Sequence, residues 1–189
     1  MTKSGILFWQ PKFDFLNYLQ STSVGRLLIV ILNYLIWIFM FITAFVLVKN
    51  DINSFWQILI ATLFGETIEK IIKSKAYWTR PMFKRHHQVP GGLVKSWYST
   101  GSFPSGHTLK TTFFFLFIVQ YSVINPALFL AITLPLLIFR VLVGFHYPLD
   151  LIGGAAIGIF AWLITHTLIF PDVLNQLTSL IFNSLFLIN

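Results

Sequence analysis

The stretch LLIVILNYLIWIFMFITAFVLV, residues 27–48, contains 22 consecutive residues without a charged side chain. At a helical rise of about 1.5 Å per residue, such a run is long enough to cross a hydrocarbon core of about 30 Å. It is too long and starts too late for a secretory signal, and it lacks a small-residue cleavage site. The stretch therefore predicts a transmembrane helix over Leu27–Val48.

The composition of the whole chain agrees with a membrane protein. Of its 189 residues, 56% are hydrophobic and 10% are charged, and the mean hydropathy is +0.77. These values lie outside the range of an ordinary soluble domain, and they predict a single integral membrane domain over residues 1–189. The absence of cysteine excludes disulfides, thiolate metal sites and cysteine nucleophiles.

Four more apolar stretches predict further spans. They lie at about 54–72, 109–124, 127–143 and 149–170. Residues 173–188 carry polar side chains along one helical face, which leaves a short sixth span or an interfacial helix open. Residues 1–26 form an interfacial N-terminal segment, with an aromatic-rich helix expected at about 6–19. The predicted fold is an all-α polytopic transmembrane helix bundle with five clear spans, a candidate sixth, and interfacial terminal helices.

The second predicted span carries charged side chains that are expensive in lipid. Glu66 precedes Lys70 by four residues, and Glu69 precedes Lys73 by the same interval. Carboxylates four residues before lysines form favourable pairs on a helix. We therefore expect these charges to neutralise one another locally rather than to catalyse a reaction.

Three polar clusters interrupt the apolar pattern. The clusters read Lys73-x6-Arg80-Pro81, Pro104-Ser105-Gly106-His107 and Arg140-x5-His146-x3-Asp150. Together they supply fixed cations, a hydroxyl, two imidazoles and a carboxylate, which are the groups that bind a phosphate and move protons. The set therefore indicates a phosphate-binding site that can also catalyse a reaction.

The order of the predicted spans tests whether the three clusters can meet. The first two bracket a polar loop over 73–107, between the second and third spans, and the last lies between the fourth and fifth spans. Two crossings separate these positions, so all three clusters emerge on the same side of the membrane. We interpret 73–107 as an active-site loop.

Two helix starts give the clusters local geometry. Ser105 is a natural N-cap for the third span, where the amides of Gly106 and His107 and the helix dipole favour an anion. Pro148 favours the first turn of the fifth span, which leaves His146 just outside the helix and lets Asp150 reach back to its ring. Small residues at Gly154 and Gly158 predict close approach of a neighbouring helix.

The positive charge is local. Eight of the thirteen Lys and Arg residues lie between Lys70 and Lys110, within a net charge of +7. This concentration suits anionic headgroups rather than nucleic acid. The adjacent His86 and His87 make a poor metal chelate without nearby acids or cysteines. A solvated basic loop is the simpler interpretation, and attraction of a second phosphate or anionic headgroup is the alternative.

The three clusters resemble the motifs of the type 2 phosphatidic acid phosphatase superfamily, the membrane lipid-phosphate phosphatases. The resemblance spans about Lys73 to Gly158, with Phe139 where the family usually has serine before the arginine. It implies that His146 is the nucleophile, that Asp150 orients it and that His107 is the general acid and base. It also implies phosphate binding by Lys73, Arg80, Ser105, Gly106 and Arg140, with no metal and no cofactor.

The resemblance implies hydrolysis of a lipid phosphate or diphosphate through a phosphohistidine. Undecaprenyl diphosphate, phosphatidylglycerophosphate, phosphatidate and lipid A phosphates all remain open as substrates. A phosphotransferase with the same residues and a noncatalytic lipid-binding or transport protein are the alternatives. The resemblance implies an extracytoplasmic active face in a bacterial inner membrane, whereas the positive-inside rule points to the opposite orientation. The oligomeric state is unknown.

Overall fold

A computed structural model describes residues 5–84 and 100–186, and every regular element within them is helical. This confirms the all-α class for the described chain. The α-helices are α1 (Phe15–Gln20), α2 (Ser23–Asn50), α3 (Asn53–Ser74), α4 (Gly106–Tyr121), α5 (Pro126–Leu142), α6 (Pro148–Thr165) and α7 (Asp172–Phe186).

The described helices differ in how well they suit a bilayer. By length and composition, α2 and α6 could each cross a membrane, while α5 is apolar but shorter. Helix α3 carries four charged residues in its second half, and α4 has only 16 residues. The count of five spans therefore stays a prediction.

The N-terminal segment is not the continuous helix expected over Ile6–Leu19. It forms a short 3-10 helix at Ile6–Phe8, and α1 begins only at Phe15. Pro11 interrupts the backbone hydrogen bonding between them, because proline has no N–H and restricts the preceding residue. Asp14 then caps α1 by accepting a hydrogen bond from the Asn17 amide at 3.1 Å.

The C-terminal helix α7 has 15 residues. Its length of about 22 Å is less than the hydrocarbon thickness of about 30 Å. Of the two interpretations of this segment, its length favours an interfacial helix over a sixth span.

Helices α4 and α6 pack with their backbones in close contact. A Cβ atom on Gly154 would lie 2.4 Å from the Ser105 carbonyl oxygen, and one on Gly158 would lie 2.4 Å from the Leu109 carbonyl oxygen. Larger residues would push the helices apart, so the predicted small-residue face is confirmed. This packing fixes the first turn of α4 beside the first turn of α6, where the second and third clusters lie.

The remaining helices surround this pair. Phenylalanines fill the centre of the bundle, with Phe113, Phe117 and Phe129 fully buried. At the end away from the clusters, Gln57 of α3 donates hydrogen bonds to the carbonyls of His166 and Leu168, just after α6. These contacts fix the C-terminal end of α6 to α3. The three clusters lie at the opposite end of the bundle.

Candidate functional site

A cavity of about 210 Å³ opens where the three clusters meet. Six of the predicted site residues line it, namely Lys73, Arg80, Gly106, His107, Arg140 and His146. Its other walls are Asn33, Tyr34, Trp37, Glu69 and Lys110. Three parts of the chain that are far apart in sequence therefore share one concave site.

His146 lies between α5 and α6 and is only 2% exposed. Its Nδ1 lies 3.3 Å from Asp150 Oδ2, and its Nε2 lies 3.4 Å from a guanidinium nitrogen of Arg80. Because guanidinium can only donate, Nε2 must accept, which assigns the proton of the neutral ring to Nδ1 and its hydrogen bond to Asp150. The lone pair of Nε2 therefore lies at the cavity, beside a cation.

Asp150 is held by donors on both oxygens. Its Oδ2 accepts from the Tyr147 amide at 2.8 Å, and its Oδ1 accepts from the indole N–H of Trp78 at 2.9 Å. The Ser105 amide donates to the Asp150 backbone carbonyl at 2.9 Å, which ties the start of α4 to the start of α6. Trp78 lies in the spacer of the first cluster, and the structure makes it a support of the carboxylate.

The cations around His146 affect its protonation. Burial lowers the pKa of His146 well below its usual range, and the positive charges of Arg80, Arg140 and Lys73 add to the effect, against a hydrogen bond to the Ser102 backbone. Burial likewise lowers the pKa of Arg80 to about 10, against the opposing effects of Asp150 and Glu69. The ring of His146 is therefore neutral at physiological pH, which is the form that can act as a nucleophile.

His107 lies in the first turn of α4, with its ring centroid 4.7 Å from that of Trp37. Its Nε2 is buried and has no hydrogen-bond partner among the described residues. A buried polar atom without a partner is costly and is commonly a site for a ligand or water. His107 therefore has a free ring nitrogen available to a molecule bound in the cavity.

Arg140 projects from the last turn of α5 and is 2% exposed. One guanidinium nitrogen donates to Asn33 Oδ1 of α2 at 2.5 Å, and its Nε has no partner among the described residues. Asn33 was not predicted as a site residue. An amide within an apolar span is itself a signal for a functional position, because lipid exposure would leave it unsatisfied.

Glu69 lies within the cavity beside Lys73 and Gly106. Its carboxylate pairs with Lys73 at 2.5 Å, as predicted, and the two side chains are each 16% exposed. A Cβ atom on Gly106 would lie 2.2 Å from a Glu69 oxygen. The absence of a side chain at Gly106 therefore leaves room for this carboxylate, next to the amide that the sequence predicts to bind a phosphate.

Ser105 caps α4 as predicted. Its hydroxyl accepts from the amide and the hydroxyl of Thr108, at 3.4 and 3.0 Å, and the residue is fully buried. Neither Ser105 nor Asp150 lines the cavity. Both stand behind the lining residues and hold them in place.

Glu66 has a partner other than the one predicted. Its carboxylate lies 3.1 Å from Nζ of Lys110 on α4, and no ion pair joins it to Lys70 in the described chain. The charge of Glu66 is therefore neutralised between α3 and α4, whereas Glu69 and Lys73 pair along α3. Lys110 itself is 6% exposed and lines the cavity.

Three further residues complete the comparison with the predictions. Phe139, which replaces the serine usual in the family, packs against an apolar cluster that includes Met82 and Phe145. His86 and His87 lie outside the described residues. Within residues 5–84 and 100–186, no three His, Cys, Asp or Glu side chains are grouped closely enough to hold a metal ion.

Comparison with known proteins supports the resemblance of the three clusters. The family model of the PAP2 superfamily matches residues 54–173, which run from the second residue of α3 past the end of α6 and include all three clusters. No curated protein and no solved structure matches the chain significantly. The match covers more than half of the chain and, together with the cavity, leads to one conclusion: the chain belongs to the PAP2 superfamily.

Proposed function

We propose that the protein is an integral membrane lipid phosphatase that transfers a phosphoryl group from a lipid phosphate or diphosphate to water through a phosphohistidine. Members of the PAP2 superfamily are generally phosphatases, so the family supports hydrolysis of a phosphate ester. The lipid substrate and the roles of individual residues are parts of the proposal.

The membrane assignment is supported by the outer faces of α2 and α6. Large apolar side chains there are exposed, including Phe41 at 65% and Ile38 at 58% on α2, and Phe160 at 53% on α6. Apolar area on this scale on a soluble monomer would promote association. In a bilayer the same faces contact lipid tails, which brings the cavity within reach of a lipid headgroup.

His146 supplies the nucleophile in this proposal. Its Nε2 attacks phosphorus, a nitrogen–phosphorus bond forms, and the bond to the leaving oxygen breaks. Asp150 keeps the proton on Nδ1 and stabilises the positive charge that develops on the ring. Arg80, beside Nε2, pairs with the incoming phosphoryl oxygens.

His107 supplies and then removes a proton. In the first step it protonates the oxygen that leaves. In the second step it accepts a proton from water, whose oxygen attacks phosphorus and releases inorganic phosphate as the nitrogen–phosphorus bond breaks. A bound phosphate dianion would favour the charged form of His107 that the first step requires.

Lys73, Arg80 and Arg140 act as the phosphate cradle. All three line the cavity, so their charges can be directed at the three nonbridging oxygens. The first turn of α4, with the amides of Gly106 and His107 and the cap at Ser105, adds backbone donors and a favourable dipole. Fixed cations of this kind stabilise the transition state without reorganisation, which is the role that Mg²⁺ has in other phosphoryl-transfer sites.

One observation carries the proposal. The imidazole of His146 has its proton directed to a buried carboxylate and its lone pair directed to a cation-lined cavity. A structural histidine needs no opening onto a cation-lined cavity, whereas a nucleophile for an anionic phosphate needs this arrangement.

The experiment is an assay of the purified protein in detergent with a panel of lipid phosphates and diphosphates. Release of inorganic phosphate without an added acceptor is expected from at least one compound, and it should be lost in His146→Ala. Transfer only when an alcohol or sugar acceptor is added would favour a phosphotransferase. No release and no transfer with well-folded protein would favour a noncatalytic lipid-binding protein.

The orientation of the site is proposed as extracytoplasmic. A reporter fused between residues 84 and 95, where the sequence predicts a loop on the active side, would show the side directly. A cytoplasmic reporter would refute the orientation and leave the chemistry standing.

A further inference from the structure

We propose that Lys110, which lies over the ring of Trp37, forms a subsite for a second phosphate, which makes a lipid diphosphate the preferred substrate class. This inference rests on the proposed phosphatase function. It concerns residues outside the three sequence clusters.

Lys110 is an unusual residue for its position. It lies in an apolar helix, one turn beyond His107, and it is 6% exposed. A buried ammonium is costly unless an anion compensates it. Its ammonium also lines the cavity, so a bound anion can reach it.

The present partner of Lys110 can be replaced. Glu66 lies 3.1 Å away, but its side chain is 55% exposed, against 8% for Lys110. A half-exposed carboxylate regains its hydration when it turns away from the cavity, so its own departure costs little. An anion within the cavity therefore competes with a weak counterion.

Trp37 connects Lys110 to His107. The ammonium lies 5.0 Å from the centroid of the Trp37 ring, and the His107 ring lies 4.7 Å from the same ring. The two side chains thus share one aromatic wall of the cavity. This wall is contributed by α2 and α4, whereas Arg80 lies beside Nε2 of His146.

The direction of attack determines which part of the substrate lies against this aromatic wall. In an in-line displacement the leaving oxygen lies opposite the nucleophile, and His107 is the group that protonates it. Lys110 then faces whatever is bonded to that oxygen. A monophosphate would place an apolar chain there, whereas a diphosphate would place an anionic phosphate, which a buried ammonium favours.

The reaction balances with water alone. His146 Nε2 bonds to the terminal phosphorus, the bond from that phosphorus to the bridging oxygen breaks, and the lipid monophosphate leaves with the bridging oxygen. Lys110 stabilises the charge that develops on this leaving phosphate. Water then releases inorganic phosphate from the phosphohistidine, as in the proposed function.

The test compares one lipid in two forms, farnesyl diphosphate and farnesyl monophosphate. For Lys110→Met, kcat/KM for the diphosphate should fall about 10- to 100-fold, as for loss of a charge-assisted hydrogen bond, while the monophosphate value changes less than about threefold. Lys110→Arg should keep the preference for diphosphate. Lys84→Met is the matched control, because Lys84 lies over the Tyr147 ring and outside the cavity lining.

Inhibition by inorganic diphosphate gives a second readout. Lys110→Met and the milder Lys110→Gln should weaken diphosphate inhibition and leave inhibition by inorganic phosphate unchanged. Equal changes for both substrates or both inhibitors, or no change, would overturn the subsite while the phosphatase assignment stands. Wild-type protein that releases phosphate from no lipid of either kind would overturn the phosphatase function and the subsite together.

Discussion

Replacement of Asp150 by asparagine is the most direct test of the His146 assignment. The carboxylate accepts three hydrogen bonds, from Trp78 Nε1, the Tyr147 amide and His146 Nδ1. An asparagine of the same shape has one oxygen and one NH₂ group. Whichever way the amide rotates, its NH₂ group faces a donor.

The two rotations have different costs. With the amide oxygen toward His146, the NH₂ group faces the indole N–H of Trp78. The imidazole of His146 then keeps its tautomer but loses the neighbouring negative charge. With the NH₂ group toward His146, the proton moves to Nε2 and the nucleophile has no lone pair toward phosphorus. In Ser-His-Asp hydrolases the equivalent change lowers turnover by about 10⁴.

We expect a smaller loss here, because Arg80 and Arg140 disfavour a proton on Nε2. A fall in kcat of about 10² or more is expected, which corresponds to about 2.7 kcal/mol of transition-state free energy. The rate of phosphohistidine formation in a single turnover should fall by the same factor. The melting temperature in detergent should fall only modestly, because one buried donor loses its acceptor.

Trp78→Phe is the matched control. It removes one donor to Asp150 but keeps the carboxylate and its bond to His146, so a change of only a few-fold is expected. If well-folded Asp150→Asn protein turned over within a few-fold of wild type, Asp150 would be only a helix-start residue. The pairing of His146 with Asp150 would then have no catalytic meaning.

The further predictions concern metal dependence, the two histidines, the pKa of His146 and the charge of Glu69. Phosphate release should persist in excess chelator because fixed cations form the cradle, and complete loss that Mg²⁺ or Zn²⁺ restores would refute this. His146→Ala should abolish the covalent intermediate, whereas His107→Ala should slow the reaction least for substrates whose leaving group needs no proton; near-wild-type turnover of both would contradict the roles. Because the pKa of His146 lies well below its usual range, modification of its ring by diethylpyrocarbonate should have its midpoint below about pH 6.5. A midpoint of modification at or above pH 6.5 would contradict the burial argument. The lowered pKa should also reduce the free energy of unfolding as the pH falls below about 6.5, since the unfolded chain binds that proton more readily. Glu69→Gln should strengthen inhibition by inorganic phosphate about tenfold, because it removes a like charge from the cavity, whereas a variant that binds phosphate no better would show that the carboxylate leaves the cavity freely.

Much of the site could be predicted from local patterns. The cap at Ser105, the helix start at Pro148 and the return of Asp150 to His146 follow from rules that involve only a few neighbouring residues. The close packing at Gly154 also has a local signature. The all-helical class followed from hydropathy alone.

What could not be predicted depends on contacts between helices. Glu66 is four residues from Lys70, but the packing of α3 on α4 brings Lys110 closer. The residues next to Trp78 in the sequence give no sign of its partner, and only the fold places its indole against Asp150. Asn33 is the instructive omission, since an amide in an uncharged span was visible in the sequence before its contact with Arg140 was known.

The N-terminal segment shows the limit of composition. Its aromatic residues suggested one interfacial helix, but a single Pro11 divides it into two short helices. Whether these lie in the headgroup region stays a prediction.

The wall that α2 contributes to the cavity has a consequence for how such a protein can diversify. The family match begins at residue 54, after α2 ends at Asn50, yet Asn33, Tyr34 and Trp37 of α2 line the cavity. The groups proposed to break and form bonds thus belong to one portion of the chain, and part of the surface that encloses the substrate belongs to another. Exchange of the α2 residues other than Asn33 and Trp37, which contact Arg140 and His107, should therefore alter which lipids fit while leaving the phosphoryl chemistry in place. Those remaining positions of α2 are the natural ones to randomise in a search for new substrates.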